Sequence, residues 1–131
     1  MAWLAKYEPY LLSILRIMSG LLFLEHGTQK ILNFPPMDPA MTAAIPPAMI
    51  PIIITAGVIE LAGGALITVG LFTRWVAFIC SGEMAAAYFL GHMSRGSFFP
   101  AVNGGDAAIL FCFVFLFLAA AGPGPLALSK K

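Results

Sequence analysis

The sequence predicts an all-α, membrane-spanning four-helix bundle, and three observations predict it. Of 131 residues, 60% are hydrophobic and only 10% charged, against about 25% charged and 45–50% apolar in soluble domains. Charge this sparse cannot cover a water-facing surface, and a mean hydropathy of +0.94 agrees. Four apolar segments, residues 10–32, 51–71, 75–92 and 106–122, pass the length test for crossing hydrocarbon ~30 Å thick. The third observation is that Arg16, Glu25, His26, Lys30, Glu60 and Glu83 fall inside those segments. A charged side chain at the centre of a membrane helix costs at least ~2.5–3.5 kcal/mol and must be satisfied against something.

Other classes are excluded on the same grounds. A net charge of +1 offers no basic patch, so no nucleic-acid partner is expected. Cys80 and Cys112 form no CxxC pair and no disulfide framework. Each lies in an apolar segment, where a free cysteine behaves as a small hydrophobe.

The first segment, residues 10–32, has Pro9 near its start, where the missing N–H is harmless. Arg16 interrupts the run a cleaved signal peptide would need, and no small-x-small site precedes Glu25, so this segment is expected to stay as an anchor. Residues 33–49 hold Pro35, Pro36, Pro39, Pro46 and Pro47, too many for a regular helix or a central strand. They read as an ordered loop long enough for a lid or a docking surface. The turn at Phe72, Thr73 and Arg74 is so short that the second and third segments, 51–71 and 75–92, should be antiparallel neighbours.

Residues 93–105 form a second loop. The fourth segment, 106–122, carries Phe111, Phe113, Phe115 and Phe117, which alternate as in a strand, but the long uninterrupted apolar run favours a membrane helix. Its rings point in every direction, so it reads as the most lipid-exposed helix. Glycines and prolines at 122–125 stop it. Four spans put both termini on one side, with Lys6, Arg74, Lys130 and Lys131 there and Lys30 and Arg95 on the other. The positive-inside rule then makes the termini cytoplasmic and the Pro-rich loop outward-facing.

Helix periodicity sorts the buried charges. Ser13, Arg16, Gly20, Phe23, Gly27 and Lys30 share one stripe of the first helix, and its glycines allow another helix to approach closely. Glu60 shares a stripe with Ile53, Gly57, Gly64 and Ile67, and Glu83 with Cys80, Ala87 and Leu90. Counted at 1.5 Å per residue, Glu60 and Glu83 both lie roughly 13 Å in, near the midplane, with Arg16 roughly 10 Å in and within reach of both. The expectation is one interior cluster of Arg16, Glu60 and Glu83. It reads either as a latch that fixes helix register or as a proton-handling, ligand-polarising site.

A second polar level nearer the outer surface holds His26, Lys30, Asn33, His92, Arg95 and Asn103. Two histidines on separate helices raise haem or a metal, but no third ligand accompanies them and an unbroken helix turns His92 away from Glu83. No metal site, no haem and no covalently bound cofactor are expected. Asn103, Gly104, Gly105 and Asp106 read as a capping loop, with Asn103 as N-cap and Asp106 as the acidic N3 residue.

These residues resemble the DoxX family of small bacterial inner-membrane proteins. The resemblance is carried by LLSILRIMSGLLFLEHGTQK, IELAGGALITVGLFTRW and HMSRGSFFPAVNGGDAAILF, in that order, and by the GPG after the last helix. It implies Arg16, His26, Gly27, Lys30, Glu60, Gly70, Thr73, Arg74, His92, Asn103, Gly104, Gly105 and Asp106 as the matching positions. Two features depart from it: Glu25 stands where an apolar or aromatic residue is usual, and the tail PLALSKK lacks the usual serine-leucine-aspartate ending.

The resemblance implies a single-domain bundle over residues 1–131 in the inner membrane, linked to thiosulfate:quinone oxidoreduction or to complexes resisting thiol and oxidative stress. The expected function is a non-catalytic or co-catalytic subunit of a redox complex, since so small a chain with no cofactor fingerprint is ill-suited to electron transfer alone. A quinone or lipid would sit in the outer half of the bundle, contacted by His26, Lys30, His92 and Asn103, while a membrane or periplasmic subunit, or a second copy, docks outside. Two alternatives stand beside it. One is a structural or assembly subunit. The other is a small transporter or proton path, which the absence of broken helices and of an inverted repeat disfavours.

Overall fold

In the computed structural model, which describes residues 1–129, every regular element is a helix. In chain order these are α1 (Ala2–Ala5), α2 (Glu8–Leu32), α3 (Pro39–Ala43), α4 (Ile50–Val69), α5 (Thr73–Ala87), α6 (Pro100–Asn103) and α7 (Asp106–Ala121). Three continuous helical stretches, Glu8–Leu32, Pro47–Val69 and Thr73–Arg95, are long and apolar enough to cross a membrane. The fourth, Asp106–Ala121, is apolar but shorter, about 24 Å at 1.5 Å per residue. Lys130 and Lys131, counted above among the inner cations, lie outside the described residues.

α2 and α4 run antiparallel in backbone contact. Gly20 faces Thr68, Gly27 faces Leu61, and Gly57 faces Lys30 and Ile31. The approach is so close that a Cβ on Gly27 would lie 2.3 Å from Leu61 N, and one on Gly64 2.5 Å from Leu24 N. Small residues at such a seam let membrane helices gain van der Waals contact that larger side chains would block. α5 packs on α7, and α4 joins the two pairs.

Phe23 of α2 reaches across to α7, edge-on to Phe115 at 4.7 Å and tilted against Phe111 at 5.7 Å. Around these rings Ile67, Ala77, Cys80, Met84, Ala108 and Leu118 complete the buried core. α7 therefore has one packed face, with Phe115 fully buried and Phe113 and Phe117 exposed, rather than rings directed evenly outward.

Helix ends explain the remaining shape. α4 stops at Gly70, whose φ of +75° is left-handed. Gly70 N bonds Ile67 O and Leu71 N bonds Leu66 O, the paired reverse bonds that close a helix C-terminus. α5 begins at Thr73, two residues before the predicted start, and turns π-helical over Tyr88–His92. The Pro-rich loop is not wholly irregular: Asp38 caps α3 through Ala40 N at 2.8 Å, and a 3₁₀ turn at Pro47–Met49 leads into α4. After α7 the chain folds back, with Leu128 N on Val69 O and Ser129 N on Gly70 O, both at 3.1 Å.

Candidate functional site

Lys30 and Glu60 form the ion pair at the heart of the site, with Lys30 Nζ 2.6 Å from both carboxylate oxygens. The glycine seam dictates this pairing. Gly57 lies against Lys30 Cβ, so Lys30 enters α4 within one turn of Glu60. Glu60 is 2% exposed and Lys30 24%, so the pair is closed on the glutamate side and opens toward solvent only along the lysine.

Glu83 of α5 is the second carboxylate of the site. It interacts electrostatically with both Glu60 and Lys30. Its Oε2 is buried and has no hydrogen-bond partner among the described residues. Cys80, one turn earlier and fully buried, feels the charge of both glutamates and faces Gly63 of α4. One ammonium thus has two carboxylates near it, Glu60 buried and Glu83 half-buried with one buried oxygen, and its bonds go to only one of them.

Arg16 does not belong to this cluster, which corrects the expected grouping of Arg16, Glu60 and Glu83. Among the described residues no hydrogen bond or ion pair joins it to either glutamate. Its fully buried guanidinium donates from Nε to Pro123 O at 2.8 Å and from Nη1 to Ile67 O at 2.6 Å and Thr68 O at 2.5 Å. Nη2 donates to Leu126 O.

The reason is register. Gly27 is level with Glu60, and Arg16 lies eleven residues earlier on α2, roughly 16 Å along the axis. Its side chain also leans toward the helix N-terminus, farther from the glutamates. There it meets carbonyls of the last turn of α4, Ile67 O also accepting from Gly70 N, where a cation is favoured.

Arg74 plays the same part for α7, donating to Ala119 O at 3.0 Å, to Ala120 O and to Ala121 O at 3.4 Å. Ser13 accepts from Leu126 N at 3.2 Å and so helps to hold the tail. These roles were legible only in part. Cations at helix C-termini are a known signal, but the acceptor partners of Arg16 lie 51 to 110 residues away.

The outer polar level does not assemble into one ligand set. Lys30 is engaged by Glu60. His26 is exposed on the flank of α2, its ring edge-on to Phe111 at 6.0 Å. His92 is turned by the π-helical segment toward α6, with Nδ1 3.3 Å from Asn103 O. Among the described residues no hydrogen bond or ring contact joins the two histidines. Glu25 is exposed, away from the Arg16 stripe as its helical position implies, and borders a shallow groove with Leu21, Leu24, Phe34 and Pro35.

Asn103 is not the N-cap of α7, a second correction. It ends α6, and Gly104 follows with φ of +74°. The Asn103 side chain is consumed by the loop: Oδ1 accepts from Gly105 N at 2.8 Å and Nδ2 donates to Ser97 O at 2.9 Å. Nδ2 also donates to the Tyr88 hydroxyl at 3.4 Å, and that hydroxyl donates to Phe98 O. Gly105 is the residue before α7, and Asp106 stands at its first position rather than the third, still within the turn where an acidic group suits the dipole. Tyr88, which anchors this loop, was not among the expected site residues.

Among the described residues no group of three or more His, Cys, Asp or Glu is placed to hold a metal ion. Comparison with known proteins places this geometry in context. No solved structure matches the chain. An uncharacterised protein of Haemophilus influenzae is 45% identical over 130 residues, covering 98% of this chain and 95% of the relative. The DoxX family model matches residues 11–93, which hold Arg16, the Lys30–Glu60 pair and Glu83. With helices of membrane-spanning length and composition over the same residues, the chain is a membrane protein of the DoxX family.

Proposed function

We propose that the chain is a membrane subunit of a redox complex, set in the bacterial inner membrane as a four-helix bundle with both termini cytoplasmic. α7 is the fourth span in this reading, and the loop between α2 and α4 faces outward to dock a membrane or periplasmic partner. The observation that carries it is the Lys30–Glu60 pair beside an unpaired Glu83 carboxylate, within helices of membrane-spanning length. Ionisable groups at such depth are rare and costly, and they concentrate where a membrane protein handles ions, protons or substrates. The redox assignment rests on the family resemblance. The proposed ligand is a quinone or lipid on the outer flank, where exposed His26 beside Phe111 offers a ring nitrogen and an apolar wall.

A second reading, a purely structural subunit, is favoured by Arg16, whose hydrogen bonds go to backbone carbonyls. Gentle detergent extraction from native membranes, followed by quinone extraction and identification of co-purifying proteins, separates the two. A stoichiometric quinone with an oxidoreductase partner supports the redox subunit, and loss of that quinone in His26→Ala places it on the flank. A quinone-free chain in a complex without redox activity overturns it in favour of the structural reading.

A further inference from the structure

We propose that Glu83 is a proton-binding carboxyl beside the Lys30–Glu60 pair. This deepens the reading above and rests on it only in setting the helices across a bilayer.

Lys30 contributes one positive charge, Glu60 and Glu83 one negative charge each, and Lys30 Nζ spends its short bonds on both oxygens of Glu60. Glu83 is left with a buried Oε2 that meets no donor. An unpaired carboxylate in an apolar interior is costly enough that such a group takes up a proton instead. Adding one proton to Glu83 brings the cluster to zero net charge, and releasing it restores one negative charge.

Among the described residues no second cation acts on Glu83. From α4 Glu60 faces Glu83, from α2 Lys30, and from α5 itself Cys80. On α7 Asp106 is exposed at the helix start, and Cys112 lies against the Ser81 hydroxyl at 3.5 Å. On α2 Glu25 and His26 are exposed on the outer surface of the helix. Lys30, in the last turn of α2, is 24% exposed, and Glu83 itself is half-buried.

The experiment uses the full chain in phosphatidylcholine vesicles. Infrared spectra in light and heavy water read the carbonyl stretch of a protonated carboxylic acid, which shifts on deuteration. The wild type is expected to show such a band at neutral pH, and Glu83→Gln, which mimics the protonated side chain, to lose it. Glu25→Gln and Asp106→Asn should leave it unchanged. A hydrophobic carbodiimide, which reacts with protonated carboxyls, should modify Glu83 in preference to Glu60 in the wild type, with modification falling as pH rises.

A wild type without the band, a band that survives in Glu83→Gln, or equal labelling of Glu60 would overturn the proposal. Neither readout needs a partner or a redox phenotype. A proton-loaded Glu83 in a chain with no redox partner would sink the subunit reading alone.

Discussion

Arg16 Nη1 lies 2.6 Å from Ile67 O, so the buried cation of α2 sits on the C-terminal end of α4. With Thr68, Pro123 and Leu126 it has four carbonyl acceptors, and no carboxylate is among them. The positive charge is met by the partial negative charge of a helix terminus and by a returning tail. Arg16 therefore holds the bundle closed.

Arg16→Ala should accordingly cost more than a typical core truncation. Hydrogen bonds to charged groups are worth about 1.5–3 kcal/mol each, although their losses do not add. Arg16→Lys keeps the charge but lacks the planar fork, so it should fall between the two. Thermal melts of the detergent-solubilised protein order the three. An alanine variant that melts with the wild type would refute the clamp.

Lys30→Ala should destabilise by ~3–5 kcal/mol, because it leaves the buried Glu60 carboxylate without its partner, and Glu60→Ala by less, because Lys30 is 24% exposed and keeps Glu83 near it. Lys30→Met combined with Glu60→Leu should recover most of that loss, since apolar replacements of similar size can match a buried pair. A double-mutant cycle on unfolding free energy measures the coupling. Additive losses would mean that the 2.6 Å contact contributes nothing.

Two glycine substitutions should diverge. Gly27→Ala drives a methyl into the backbone of Leu61 and should destabilise by about 1–3 kcal/mol as overpacking does. Gly82→Ala meets nothing within 4 Å, and in a helix it should stabilise by about 0.5–1 kcal/mol. If both variants melt alike, the close approach of α2 and α4 is wrong.

Much of this was legible in the sequence. The four apolar segments lie within a few residues of α2, α4, α5 with its π turn, and α7. The stripes through Arg16 and Glu60 are the buried faces of their helices. What depth counting missed was register. Helix starts are a poor ruler, because they do not say how far one helix slides along another. The glycines are a better one: 20 and 27 on α2 and 57 and 64 on α4 are both seven apart, and in the antiparallel pair they interleave, Gly27 against Leu61 and Gly57 against Lys30, which sets Lys30 beside Glu60. The Asn103 cap failed for a different reason: Gly104 takes a left-handed turn, and the asparagine side chain is spent on the loop before α7 begins.

The returning tail should tolerate changes at its exposed side chains but not its own removal. Its bonds run through backbone groups at Pro123, Leu126 and Leu128. Leu128 is 76% exposed, so Leu128→Ala should shift the melting temperature little. Deleting residues 123–129 removes two of the four acceptors of Arg16 and should lower it strongly.

The Arg16 clamp has a consequence in time. Pro123 and Leu126 are made 107 and 110 residues after Arg16, a delay of roughly 5–20 s at synthesis rates of about 5–20 residues per second. Throughout that interval the most deeply buried cation of the first helix lacks half of its acceptors. Closure of this end of the α2–α4 pair therefore waits for the segment that follows α7.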